Sequence, residues 1–320
     1  MRSRSLVTPQ RYAWIAYAAL ALLTLIVFTG AAVRLTGSGL GCPTWPKCTD
    51  TSLGAPLRSH QGIEFGNRLL TGLVGLPCIL AFVGARLRAP YRRDFFLLGF
   101  GLCLSVLAQA VLGGITVRTG LNPWTVMAHY LLSMVALVIA VVLAWRVYRE
   151  QRGEEAPIEH PGRLVLAIRA LIAYGAVVIA VGTASSAAGP HAGGEGTGDE
   201  VVRLNFRGAD TLDFLITGHA RLAAVFGVLT LAAWLWARRL GARRLLRPLG
   251  ITAVLLALQG VVGNAQYHLE LPAELVWIHV ALAAVTWNVM VWTVLAAGRP
   301  AGARPAAPAE PPQPRATVGV

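Results

Sequence analysis

Charged side chains are scarce in this sequence, and lysine is almost absent. Only 13% of the 320 residues are charged and Lys47 is the single lysine, whereas a soluble globular protein is usually about 25% charged. With 55% hydrophobic residues and a mean hydropathy of +0.59, the composition excludes an ordinary soluble domain and indicates an integral membrane protein. The net charge of +13 does not predict nucleic-acid binding, because the arginines form short clusters between apolar runs, as they do in membrane proteins.

Cysteine is also rare, with four residues in the whole chain. Tetrahedral zinc sites need four close ligands and often use cysteine, but Cys78 and Cys103 fall on apolar faces without histidine neighbours, which disfavours zinc. Cys42 and Cys48 lie in "CPTWPKC", in a predicted outer loop, where an oxidising compartment allows a small disulfide ring. Such a ring is either a structural staple or a redox-active pair, and the sequence leaves both open.

Apolar runs long enough to cross a membrane, about 20 residues each, occur eight times. The first of them is too long for a cleavable signal sequence and has no cleavage site, so we expect it to be a membrane helix. Arginine-rich connections alternate with charge-poor ones, which predicts a multi-pass protein of the cell membrane with both termini in the cytoplasm. A Pro- and Ala-rich tail, residues 298–320, is predicted to be disordered. The predicted spans are 13–33, 63–85, 94–117, 124–146, 164–187, 212–236, 249–269 and 274–297.

The two halves of the chain resemble each other. "QAVLGGITV" near the end of the third span matches "QGVVGNAQY" near the end of the seventh, and "FGNRLLTGLVG" in the second span matches "TGHARLAAVFG" in the sixth. Both halves start on the same side of the membrane, so this is a parallel duplication. We therefore predict an all-α integral membrane protein of eight transmembrane helices, arranged as two pseudo-symmetric four-helix bundles, residues 1–150 and 151–297.

Four polar side chains occupy matching positions in this repeat: Asn67, His129, His219 and His279. Each lies about five to seven residues into its span, which corresponds to roughly 8–10 Å below the outer surface. His219 and His279 stand on alternate helices at equal depth, an arrangement that suits the two axial positions of a haem iron. The alternative is that each histidine only forms a hydrogen bond with a neighbouring helix.

Several strings of the sequence together resemble the haem A synthase family: "FTGAAVRLTGSGLGCPTWPKC", "IEFGNR", "GPHAG", "HARLAA" and "WIHVALAA". The resemblance covers nearly the whole chain up to about residue 297. It implies that the C-terminal half holds haem b between His219 and His279. It also implies that the N-terminal half, with His129 toward the substrate iron, takes haem O and oxidises a ring methyl group to a formyl group in two steps, making haem A for cytochrome oxidase.

The second span departs from the family pattern of a glutamate followed three residues later by a histidine. Glu64 matches the glutamate, but Asn67 stands where the histidine is expected. Because Asn is a poor iron ligand, we expect a five-coordinate or water-ligated haem in the first half, with the chemistry there. The Asn67 amide is predicted to form a hydrogen bond with a water or an oxidant held at the iron. Residues three apart share a helix face, so Glu64 is predicted to face the same cavity and to carry protons. The alternative for Glu64 is an ion pair with Arg68.

Haem propionates need cationic or hydrogen-bonding partners. Arg34, Arg68 and Arg221 are candidates for this role, and His60 and His191 are candidates for the mouth of the site. The alternative for each arginine is that it reaches out to the membrane interface.

The resemblance also implies partners beyond the lipid membrane and haem O. A haem O synthase and an electron-accepting partner are expected from the pathway, and the sequence leaves a homo-oligomer open. Two other functions compete with this prediction. A b-type cytochrome carrying electrons only would share the histidines, and a transporter would share the internal repeat.

Overall fold

The protein is almost entirely helical in the computed structural model, which describes residues 7–52, 54–55 and 59–302. Eight helices are long and apolar enough to span a membrane, which confirms the predicted all-α membrane fold. They begin and end within a few residues of the predicted spans; the largest difference is α7, which starts six residues earlier. Their bounds are α1 Pro9–Leu35, α2 His60–Leu87, α3 Arg93–Arg118, α4 Pro123–Gln151, α5 Gly162–Ala188, α6 Thr211–Arg239, α7 Arg243–His268 and α8 Ala273–Ala297.

Helix starts follow from local capping chemistry. The side chains of Thr8, Ser59 and Asn122 accept hydrogen bonds from backbone N–H groups in the first turns of α1, α2 and α4. These groups have no partner within the helix, so a side-chain acceptor at this position stabilises the first turn. Proline occupies the first position of both α1 and α4, where its missing N–H costs nothing.

Each half is a closed ring of four helices. In the first half α1 contacts α2 and α4, and α3 joins α2 to α4; in the second half α5 contacts α6 and α8, and α7 joins α6 to α8. The two rings meet along α1, α4, α5 and α8. Polar contacts cross this junction: the Trp277 indole donates to the Phe28 carbonyl (2.8 Å), and the Trp287 indole donates to the Met134 carbonyl (3.0 Å).

The duplication extends to the turns. Leu121, between α3 and α4, and Leu271, between α7 and α8, both have positive φ, at 56° and 63°. Both backbone N–H groups reach back five residues, to the carbonyls of Thr116 and Gln266. A left-handed residue of this kind is uncommon outside glycine, so its recurrence at matching positions supports a shared ancestor for the halves.

The described parts of two long connections, residues 36–59 and 189–207, lie together at one end of the bundle. They are joined directly, because the Gly39 N–H donates to the Gly193 carbonyl (2.7 Å) and the Gly196 N–H donates to the Gly37 carbonyl (3.1 Å). At the opposite end, strand β1, Glu159–His160, pairs in parallel with β2, Arg299–Pro300. The ordered chain thus continues past residue 297, and residues 303–320 of the predicted tail lie outside the described residues.

Candidate functional site

One large cavity, about 1610 Å³, runs between the helices of both halves. It exceeds the roughly 300–1,000 Å³ of an ordinary small-molecule pocket. Its lining includes nearly all of the polar residues singled out in the sequence: Arg34, Glu64, Asn67, Arg68, His129, His191, His219, Arg221 and His279. The repeat therefore brings these residues, distant in the chain, to a shared space.

In the second half, His219 from α6 and His279 from α8 face each other. Their ring centroids are 6.1 Å apart and the ring planes are inclined by 67°. His219 Nδ1 lies 3.1 Å from the Val178 carbonyl of α5, which can only accept, so Nδ1 donates and Nε2 carries no proton. Gly182 makes room for this ring, since a Cβ there would lie 2.6 Å from His219 Cε1.

In the first half, His129 of α4 lies against α3 at Gly113, where a Cβ would be 3.3 Å from its Cε1. Gly263 stands in the same relation to His279, at 3.4 Å. Gln109 fixes the backbone beside the ring, donating to the His129 carbonyl (3.2 Å) and to Ser133 Oγ (2.7 Å). His129 Nδ1 is buried, with no hydrogen-bond partner within the described part of the chain.

Asn67 of α2 takes the place that His219 has in the second half. Its Oδ1 accepts a hydrogen bond from Thr29 Oγ1 of α1 at 2.8 Å, which leaves the amide nitrogen as a donor. Gly30, beside Thr29, lines the cavity, and a Cβ built on it would meet nothing within 4 Å. The shorter side chain of Asn67 therefore leaves open space where the second half has an imidazole.

Glu64 is paired, as the alternative interpretation had it. One carboxylate oxygen accepts a hydrogen bond from Arg68 Nη2 at 2.5 Å, and the other accepts one from the Cys42 N–H at 2.6 Å. Arg68 also donates to the carbonyls of Cys42, Thr44 and Lys47. Loop carbonyls and Glu64 thus take hydrogen bonds from both terminal nitrogens of its guanidinium, and its role as a propionate partner stays a prediction.

The predicted disulfide is present between Cys42 and Cys48. Within the ring that it closes, Trp45 and Pro46 form part of the cavity wall. Trp45 lies on α3 at Gly114, where a Cβ would be 2.8 Å from its indole. The disulfide ring is thus a part of the site's wall, a role that spacing in the sequence does not reveal.

The two histidines predicted for the mouth of the site, His191 and His60, lie in different surroundings. His191 lines the cavity, and its Nε2 lies 2.7 Å from the Leu271 carbonyl. His60 is not part of the cavity lining; its ring packs on Gly196, with Nδ1 2.8 Å from Ser38 Oγ, and its place at the mouth stays a prediction. It contributes to the junction between the two long loops instead.

Of the two remaining arginine candidates, one is anchored and one is exposed. Arg34 donates to the Ser186 carbonyl at 2.6 Å, and its Nε is buried without a partner among the residues described. Arg221 is exposed and lines the cavity. Both keep guanidinium donors next to the cavity, as the propionate hypothesis requires.

Glu195 organises the second long loop. Its carboxylate accepts from the N–H groups of Ala192 (2.8 Å) and Gly193 (2.9 Å). Burial alone would raise the pKa of Glu195, but backbone hydrogen bonds from Glu195 itself, Gly193 and Ala192, together with the nearby charge of Arg203, hold that pKa below its ordinary value. The ionised carboxylate therefore stabilises this loop.

The fold and the cavity define a multi-pass membrane protein built from two histidine-bearing four-helix bundles. The chain belongs to the COX15-CtaA family, described as cytochrome oxidase assembly protein, which matches over residues 13–62 and 57–193. The matched ranges hold Glu64, Asn67 and His129, whereas His219 and His279 lie beyond them.

Curated relatives carry the name "Heme A synthase". The chain is 31% identical to that of Lysinibacillus sphaericus (strain C3-41) over 144 residues, which is 45% of this chain and 47% of the relative. It is 34% identical to that of Geobacillus thermodenitrificans over 136 residues, 41% of this chain and 42% of the relative. The chain thus matches somewhat less than half the length of these relatives.

Proposed function

We propose that this protein is a haem A synthase, which oxidises a ring methyl group of haem O to a formyl group in two successive steps and so makes haem A for cytochrome oxidase. Family membership and the names of the relatives support this function. The observation that carries it is the contrast between the two halves: two histidines face each other in the second, and a histidine is matched with open space in the first.

We assign haem b to the second half, residues 151–297, where His219 and His279 would hold its iron. Metal–imidazole bonds are about 2 Å long. Two such bonds plus the distance from each nitrogen to its ring centre give roughly 6 Å between centroids, close to the observed 6.1 Å. A haem with both axial positions filled serves electron transfer, so the second half would pass electrons away from the substrate.

We assign haem O to the first half, residues 1–150, where His129 would hold its iron. The carbonyl oxygen of Asn67 is occupied by Thr29, so its amide N–H is the donor that would hold a polar molecule on the opposite face. The iron porphyrin supplies the oxidising chemistry when it is bound. The chain positions the methyl group, excludes water and moves protons.

Glu64 is our candidate for proton transfer. It lies one turn before Asn67 and lines the same cavity, and residues three apart on a helix share a face, so its carboxylate could accept a proton beside that amide. Its ion pair with Arg68 keeps the carboxylate in position. The propionates would lie toward Arg34 and Arg221, whose donors line the cavity.

The protein would work in the cell membrane with both termini in the cytoplasm, receive haem O from a haem O synthase and deliver electrons to an acceptor. Co-expression with a source of haem O, followed by extraction and chromatography of the haems, tests the proposal. We expect haem B together with haem A or haem O from the wild type. His129→Ala should keep haem B and lose haem A. Haem B alone in the wild type would indicate an electron-carrying cytochrome, and no haem would contradict both.

A further inference from the structure

The disulfide ring, residues 42–48, is attached to α2 mainly by the side chain of Arg68. Arg68 reaches three of the ring's carbonyls: Cys42 (2.9 Å), Thr44 (2.8 Å) and Lys47 (3.1 Å). A disulfide closes a loop on itself, but it does not fix that loop relative to a helix. The attachment to α2 comes from Arg68 and from the Cys42 N–H bond to Glu64.

Charge and burial make this attachment strong. The side chains of Arg68 and Glu64 are only 19% and 7% exposed and form an ion pair one helical turn apart. Hydrogen bonds from a charged donor are about twice as strong as neutral ones. A lysine at this position has one ammonium group and cannot reproduce the planar set of donors that spans three carbonyls.

On its other side the ring lies on α3. Trp45 packs where only a glycine, Gly114, leaves room for it, and Arg118 donates to the Trp45 carbonyl (3.2 Å). The neighbouring Gly113 makes room for His129. In the second half the residue that matches Gly114 is Asn264. The second half therefore lacks the glycine that makes room for the Trp45 indole in the first half.

We infer that Arg68 is a positioning residue that fastens the Cys42–Cys48 ring over the first half of the cavity, making the ring a fixed cap that presents Trp45 as a wall of the site. That this cap covers bound haem O rests on the proposed function. That Arg68 holds the ring does not, and it can be tested without any haem.

The sequence supplies a specific probe, because Lys47 is the only lysine. A lysine-specific endoprotease can cut the chain only after Lys47, giving fragments 1–47 and 48–320 once the disulfide is reduced. The carbonyl of that bond is held by Arg68 and by Thr44 Oγ1 (2.8 Å). Cleavage of a folded protein tracks the population of the opened segment.

We expect Arg68→Gln and Gly114→Ala each to raise the cleavage rate in detergent by roughly tenfold or more, since both release the ring from a helix. Arg68→Lys should fall between Arg68→Gln and the wild type. Arg207→Gln is the matched control: it lies in the other long loop, with its guanidinium over the Phe214 ring, and should be cut at the wild-type rate.

The haem content of Arg68→Gln distinguishes release of the disulfide ring from a loss of stability of the whole protein. Arg68→Gln should keep the haem b spectrum of the second half and reduce the amount of haem O retained by the first. The inference is overturned if Arg68→Gln is cut at the wild-type rate, or if Arg207→Gln accelerates cleavage as much. A wild-type protein with neither haem O nor haem A, but with the expected cleavage pattern, would contradict the proposed function and leave the role of Arg68 unaffected.

Discussion

Gly182 gives the sharpest test of the second-half site, because a single methyl group there should displace the ring of His219, the proposed haem ligand. A Cβ at this position would lie 2.6 Å from His219 Cε1 and 3.0 Å from Nδ1. Carbon atoms in contact prefer about 3.5–4.0 Å, so the ring has to recede by about 1 Å. The Nδ1 bond to the Val178 carbonyl, now 3.1 Å, would then exceed the usual hydrogen-bond range.

The expected loss of haem b affinity follows from breaking the hydrogen bond between His219 Nδ1 and the Val178 carbonyl. Leaving a buried donor unsatisfied costs about 1–3 kcal/mol, and 1.4 kcal/mol is a factor of ten, so Gly182→Ala should weaken haem b binding about 5- to 150-fold. The assay is titration of the haem-free protein with haem, with the absorption spectrum reporting the two-histidine, low-spin form.

Gly30 provides the matched control for this experiment. It is the repeat equivalent of Gly182, and a Cβ there meets nothing within 4 Å. Gly30→Ala should leave haem b affinity and spectrum unchanged. If Gly182→Ala bound haem b as tightly as Gly30→Ala and kept the low-spin spectrum, His219 would not be a ligand and the assignment of the second half would be wrong.

Three further predictions follow from the first half and the long loops. Asn67→His should convert the haem O form to a low-spin spectrum, because the space at Gly30 accommodates an imidazole; an unchanged spectrum contradicts the open position. Glu64→Gln should keep haem O bound but lower haem A output at least tenfold, whereas near-normal output excludes proton transfer by Glu64. The stabilising effect of Glu195 should be complete above its ordinary pKa of 4.5 and be lost as the pH falls through the lower pKa of the folded protein. Hydrogen exchange of residues 189–199 in acid measures this, and Glu195→Gln should abolish the pH dependence.

The spans could be predicted from hydropathy because a membrane selects for length and apolarity alone. The start of α7 at Arg243 was missed by six residues, since Arg243, Arg244 and Arg247 extend the helix beyond its apolar part. Pro77 lies inside α2 without ending the helix. Helix ends in charged or proline-containing sequence depend on capping and packing, which a hydropathy window does not measure.

The internal repeat predicted more of the cavity-lining residues than any single motif did. Aligning the halves placed Asn67, His129, His219 and His279 at equivalent depths, and all four line the cavity. The glycines beside the rings gave a weaker signal: Gly113 and Gly263 are aligned in the repeat, but only the structure shows that each makes room for a histidine.

The paths of the long loops could not be predicted from the sequence. The carbonyls that Arg68 contacts lie 21 to 26 residues before it, and His60 is turned toward Ser38 and Gly196 by the meeting of two long loops. Spacing within a helix predicts which side chains share a face, but it does not say where an irregular segment returns to that helix.

The asymmetry between the halves has an energetic consequence. In the second half the imidazole of His219 fills the space next to Gly182, whereas in the first half Asn67 leaves the space next to Gly30 empty. An unfilled cavity in a packed bundle is destabilising by roughly 24 cal/mol per Å³, and a ligand that binds only the folded state recovers that stability. Beside Gly30 the first half therefore has a volume that a bound molecule would fill, whereas the His219 ring already fills the equivalent volume beside Gly182. The proposed haem O site in the first half requires such a volume next to Asn67.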